Sequence, residues 1–413
     1  MKRPVRLSDL RGLSRLAVDA TVGLTDLVEE VHRSVTTLPE AGAPNPARRK
    51  RMRGITGFVY RTIRRIAKFV GHTVDSGLAQ LQPLLLADAT TPPSSTVPVS
   101  PHRDAVLAAL NGVLGDRLEA SGNPLAIPLQ FRCDGRVLDP RQETGDRILL
   151  LVHGLCRSDL QWLRKGHDHG ARLAAELGFR SVYAHYNSGR AIATNGRELA
   201  ERLEALVRAW GEPVSAIVVV AHSMGGLVMR SACQVAEMAG LTWRGKLRSI
   251  VFLGTPHLGA PLERGGNWVT LALDKTAYTA AFARLGRIRS AGITDLRHGE
   301  LAEQTSSHHE DRCARQRGRG VALPLPEGVT CYAVAATLAK GAEAQTAAKT
   351  VIGDGLVPLA SALGDDIDPA RALAIPSDRR FIAYGINHLD LLDRGEVYEQ
   401  IRVWLAAPAE ATR

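Results

Sequence analysis

Between residues 147 and 384 the chain repeatedly breaks into short apolar runs separated by helix-period segments. Ile148–Val152, Ile217–Ala221, Ile250–Leu253 and Ala333–Ala336 are apolar at successive rather than alternate positions. That is the pattern of strands buried on both faces, as in a parallel sheet. Phe179–His185 and Phe381–Tyr384 read as further strands, and AIPLQFRC as a leading one. Helices are expected over DAVLAALNGVLGDRLEA, over Gly196–Trp210 (with Asn195 and Glu198 as a capping box), over Gly226–Ala239 and over Val397–Leu405. Strands alternating with helices of this length imply a mostly parallel, doubly wound sheet with right-handed crossovers.

Two stretches break the alternation. From Pro261 to Pro326 an amphipathic segment with Trp268, Tyr278 and Phe282 precedes the polar tract EQTSSHHEDRCARQRGRG. An insertion at the C-terminal edge of such a sheet is where a helical lid sits, and those three aromatics are the expected substrate-facing side chains. The other stretch is residues 1–103. Leu10, Leu13, Ala17, Ala20, Leu24, Leu27 and Val31 form a heptad-like seam over 7–35, and Ile55–Leu86 reads as a second helix carrying Val59, Ile63 and Ile66. Pairing of the two as a hairpin is expected, with Arg61, Arg64, Arg65 and Lys68 together on another face of the second. The Pro/Ser/Thr-rich Asp88–Pro101 then acts as a linker. The expected domains are therefore 1–103 and 104–413, the second carrying the insertion at about 261–326.

The chemistry gathers around IVVVAHSMGGLVMR, Ile217 to Arg230. A strand runs without spacer into one serine, and paired glycines open a helix: a nucleophile elbow of the α/β-hydrolase type, with Ala221 and Gly225 as the small flanking residues. Ser223 is the expected nucleophile. A serine hydroxyl needs a histidine base oriented by a carboxylate, in the chain order serine, acid, histidine. His388, between the last strand and the closing helix, is the expected base. Asp354, in the tight GDGLVP turn, is the preferred acid over Asp365, Asp366 and Asp378. Asp390 and Asp393 follow the histidine and break the order. The oxyanion donors should be the backbone N–H groups of Met224 and of Leu155 in HGLC. His153 and His222 read as structural. His167 and His169 lack the company of metal ligands, so neither metal nor cofactor is expected.

Charge changes the picture only at the N-terminus. Of a net charge of +10, residues 1–103 hold +8, with sixteen Lys/Arg against eight Asp/Glu. Two readings follow, an ordinary helical pair with a solvated basic face or contact of that segment with an anionic membrane or lipid-droplet surface, and neither nucleic acid nor an anionic substrate is expected. The five scattered cysteines and the absence of a signal-like or membrane-spanning apolar run suggest an intracellular, cytoplasmic protein.

The phrases LLLVHGL, VVVAHSMGG, FLGTPHLGAPLE, GDGLVPL and NHLDLL together resemble the bacterial triacylglycerol lipases and esterases of the α/β-hydrolase superfamily. Their relatives include hydrolases similar to the glycosylphosphatidylinositol inositol deacylase. The resemblance spans Arg147–Leu392, places Ser223, Asp354 and His388 on the triad positions, and implies hydrolysis of lipid or other acyl esters through an acyl-enzyme. An acyltransferase or thioesterase would use the same triad. A non-catalytic surface protein with a relict hydrolase domain is the remaining alternative.

Overall fold

The computed structural model describes residues 7–36, 61–62, 64–66, 68, 75, 101–260, 290–298, 323–342 and 353–407. Eight strands form one sheet: β1 (Gln130–Cys133), β2 (Arg136–Val137), β3 (Arg147–Val152), β4 (Arg180–His185), β5 (Ala216–His222), β6 (Leu247–Leu253), β7 (Thr330–Thr337) and β8 (Arg380–Tyr384). Their order is β2-β1-β4-β3-β5-β6-β7-β8. All pairs from β4 to β8 are parallel, and the β1–β2 hairpin adds antiparallel to β4.

Burial explains the unbroken apolar runs. Leu149, Leu151, Val218, Val220, Val251, Leu253, Val334 and Ala336 share one face and pack with Leu173 of the His169–Leu177 helix and with Val397, Ile401 and Trp404 of the Gly395–Ala406 helix. The alternate residues Ile148, Leu150, Val219, Ala221, Ile250 and Phe252 are equally buried. With both faces covered, every strand position favours an apolar side chain.

Most helices lie where the periodicity puts them. One begins earlier: Ile192–Ala209 starts four residues before the expected Gly196. Asn195 is not its cap. It is buried inside the first turn, where Nδ2 donates to Asn187 O at 2.9 Å. The cap comes from far along the chain, the Ile192 N–H donating to Asp295 Oδ2 at 2.8 Å. Asp295 belongs to a short helix, Ala291–His298, inside the stretch read as an insertion. The expected lid aromatics Trp268, Tyr278 and Phe282 lie outside the described residues.

The chain divides into two compact units, Met1–Ser94 with Leu118–Ala126, and Ser95–Arg117 with Ile127–Arg413. In the first, the helix Leu7–Thr36 is present as read. Arg11 and Arg15 reach Asp75 at 3.0 and 2.6 Å, and Asn123 Nδ2 donates to Gly12 O at 3.1 Å. These bonds, that from Arg15 foremost, hold the Asp75 carboxyl down at about 2. Leu10, Leu13, Ala17 and Ala20 of the seam are exposed, as is Ile66. Arg64 leaves the expected basic cluster: it is buried and bonds Asp26 at 2.6 Å. The polar side of the first helix, not its apolar stripe, makes these contacts. Among the described residues no helix is long and apolar enough to cross a membrane.

Candidate active site

β5 carries its apolar run to Ala221 and His222, and the chain then turns within one residue into the Met224–Ala239 helix. Ser223 occupies that turn at φ 55°, ψ −127°, backbone that an L-residue enters only under strain. Two bonds fix it: its N–H donates to Leu253 O on β6 at 2.8 Å, and its carbonyl accepts from Gly226 N–H at 3.1 Å. The small-residue requirement has a specific cause at Gly225. A Cβ there would stand 2.5 Å from Val152 O and 2.6 Å from His153 O, because the helix start presses on the end of β3.

His388 is held by the loop after β8. Asn387 Oδ1 accepts from Leu389 N–H at 2.9 Å and Asp390 N–H at 3.1 Å, while Asp390 Oδ2 takes the Asn387 N–H at 3.2 Å. This reciprocal clamp presents His388, whose ring lies over Gly254, the residue after Leu253. A Cβ on Gly254 would sit 3.0 Å from His388 Cε1, and its φ of +57° also suits glycine. The histidine and the serine turn thus meet at the end of β6.

Asp354 follows β7 and is 2% exposed. Its Oδ2 lies 2.6 Å from His388 Nδ1. Its Oδ1 accepts the N–H groups of Leu356 (2.9 Å) and Val357 (2.8 Å), and its carbonyl accepts His388 N–H at 3.1 Å. The rivals are engaged elsewhere. Asp365 bonds Arg380 at 2.8 Å, Asp366 bonds Arg371 at 3.1 Å, and Asp378 lies exposed in a short 3-10 turn. Asp390 and Asp393 meet Lys165 at 3.5 and 3.0 Å. Ser223 Oγ makes no hydrogen bond to His388 among the described residues.

Leu155 and Met224 are buried, and neither backbone N–H has an acceptor among the described residues. His153 orients the first of them. Its Nδ1–H donates to Gly154 O at 2.9 Å, and its Nε2 accepts the Tyr186 N–H at 3.4 Å while its ring stacks on Tyr186. In a trans peptide the C=O and N–H point in opposite directions, so fixing Gly154 O aims Leu155 N–H the other way. The next residue, Cys156, is anchored by its N–H to Ser188 Oγ at 3.0 Å.

Other histidines support the His388 loop. His222 Nε2 donates to His388 O at 3.3 Å, with the two rings 4.7 Å apart. His169 Nε2 donates to Leu391 O at 2.9 Å and its Nδ1 accepts from His167 Nε2 at 2.7 Å, so this pair props the far end of the same loop. Neither support was visible in the sequence, since both bonds span more than 150 residues. The Asn387/Asp390 clamp was findable, because Asn-x-x-Asp is a local Asx-type pattern. No group of three His, Cys, Asp or Glu residues among those described is placed to hold a metal.

These buried histidines carry a consequence for stability. Burial pushes His153 down to about 3 and His169 to about 4, and, more than any neighbouring charge, holds His222 and His257 well below the ordinary value. An unfolded chain protonates all four near 6.5, so from there down to about 4 it binds protons the folded chain refuses. Stability is complete above pH 6.5 and falls through that window, by up to about 1.4 kcal/mol per pH unit for each histidine. Urea midpoints should therefore drop steadily from pH 7 to pH 4.5. A midpoint flat across that range would mean these histidines charge without unfolding the protein.

The parallel strand order 4-3-5-6-7-8, the turn after β5 and the loops after β7 and β8 define an α/β-hydrolase fold. A family model described as a domain of unknown function (DUF7379) matches residues 132–298. No curated protein matches the chain. Among solved structures it is similar to a mature Bacillus licheniformis lipase, with 17% identity, 65% of this chain and 96% of that chain covered, and a TM-score of 0.40. It is also similar to a Rhizomucor miehei esterase, at 16% identity, coverage of 78% and 93%, and a TM-score of 0.37. A third is Aspergillus fumigatus lipase B, at 13% identity and a TM-score of 0.36; 65% of this chain matches little more than half, 55%, of that one.

Proposed function

We propose that this protein is a serine-dependent carboxylic ester hydrolase. The observation that carries the reading is the buried Asp354–His388 pair, 2.6 Å apart, at the sheet end where Ser223 is held in a strained turn. Ser223 Oγ attacks the ester carbonyl while His388 Nε2 takes its proton, and Asp354 stabilises the imidazolium that forms. The tetrahedral oxyanion is received by the N–H groups of Leu155 and Met224, assisted by the positive end of the Met224–Ala239 helix. Collapse expels the alcohol, protonated by His388, and leaves an acyl group on Ser223. Water, deprotonated by His388, then releases the acid and restores the serine.

The substrate class proposed is lipid or other acyl esters. That finer assignment, including the likeness to inositol-deacylase-type hydrolases, rests on the sequence phrases from LLLVHGL to NHLDLL. The test is product analysis over p-nitrophenyl esters of increasing acyl length, with and without added alcohol. Free carboxylic acid should be the main product in both cases. A dominant transacylated ester whenever alcohol is present would make the protein an acyltransferase.

A further inference from the structure

The N-terminal unit presents a surface for which its own described residues have no use. On the Leu7–Thr36 helix, Leu10, Leu13, Ala17 and Ala20 recur at three- and four-residue spacing and are all exposed, Leu10 by 44% and Leu13 by 53%. That spacing puts them on one stripe. The helix uses a different side to meet its neighbours, through Arg11, Arg15 and Gly12. The second helical stretch adds charge. Arg61, Arg65 and Lys68, spaced i, i+4, i+7, are exposed on one face, and Ile66, off that face, is 58% exposed. Arg64 is withdrawn by Asp26, so among the described residues of this second stretch the outward cations are these three.

We infer that this unit docks peripherally on an anionic bilayer surface, its leucines entering the headgroup boundary and its cations meeting lipid phosphates. Exposed apolar groups accompanied by basic residues are the features of interfacial helices. Charge selects the occupant. A second copy would set one +8 segment against another, whereas an anionic leaflet offers the opposite sign. Spanning is not part of the inference, since no described helix is long and apolar enough. Nor does docking depend on the catalytic reading.

The experiment uses the full-length protein in co-sedimentation with vesicles of phosphatidylcholine alone or with 30% phosphatidylglycerol added. Each basic residue at such a surface strengthens partitioning about fivefold, so the triple variant Arg61→Gln/Arg65→Gln/Lys68→Gln should bind about 100-fold more weakly. Leu10→Ser/Leu13→Ser should lose about tenfold or more. Raised salt should release the wild type. All the substitutions are on exposed side chains, so circular dichroism and turnover of a water-soluble ester should stay at wild-type levels. Equal binding to both vesicle types, no binding to either, or variants that bind like wild type would overturn the inference. So would light scattering that shows a wild-type dimer converted to monomer by Leu10→Ser/Leu13→Ser, since the stripe would then belong to a second copy.

Discussion

Replacing Ser223 by alanine lowers kcat for a p-nitrophenyl ester by about 10⁵- to 10⁶-fold, with the far-ultraviolet spectrum and melting temperature close to those of wild type. The size follows from removing the nucleophile of a cooperating triad, where loss of one member costs nearly as much as loss of all. The fold survives because the turn is held by backbone groups, Ser223 N–H to Leu253 O and Gly226 N–H to Ser223 O, which alanine retains. Glycine at the same position is a sharper test. It is equally inactive, but it relaxes the strain at φ 55° and should stabilise the fold by about 1 kcal/mol. A glycine variant that gains stability while losing activity identifies the turn as strained for function. Residual activity above about 1% in either purified variant would put the nucleophile elsewhere.

Asp354→Asn should lower kcat by about 10⁴-fold while leaving KM and stability nearly unchanged. The direction comes from the hydrogen bonds around the carboxylate. Oδ1 accepts two backbone N–H groups, from Leu356 and Val357, so asparagine must keep its own oxygen there. Its NH2 then faces His388 Nδ1, which can only accept. His388 is left with the proton on Nε2, the nitrogen that must take the Ser223 proton, and the base is blocked by its tautomer. Asp365→Asn and Asp378→Asn should leave the rate within about twofold, as surface substitutions away from the reacting groups do. The assignment fails if either of those is the inactive one.

Much of the fold could be read from the sequence because a parallel sheet covered on both faces writes itself as unbroken apolar runs. Ile217–Ala221 and Ile250–Leu253 have no solvent-facing position at which a polar residue could enter. The serine turn was equally legible, since its sharpness demands small residues at fixed offsets. Asp354 stood out for a local reason too: Gly353, Gly355 and Pro358 shape a turn whose N–H groups converge on the carboxylate. What escaped was whatever depends on distant partners. The start of the Ile192–Ala209 helix is capped by Asp295, 103 positions away, a partner that no local pattern around Asn195 can indicate. His222 and His169 carry no sign that they hold the His388 loop, since the carbonyls they bond become neighbours only once the sheet is complete. A heptad pattern says that an apolar face exists, not what covers it, and the described contacts between the two N-terminal stretches are ion pairs of Arg11, Arg15 and Arg64.

The central claim is that Ser223 is a nucleophile activated by His388. Covalent labelling with a fluorophosphonate tests it most directly, because an ordinary serine hydroxyl does not react on the same timescale. Wild-type protein should take up one equivalent, found by peptide mass spectrometry on Ser223, and His388→Ala should label at least about 10³-fold more slowly. No adduct, an adduct on another residue, or undiminished labelling of His388→Ala would contradict the account.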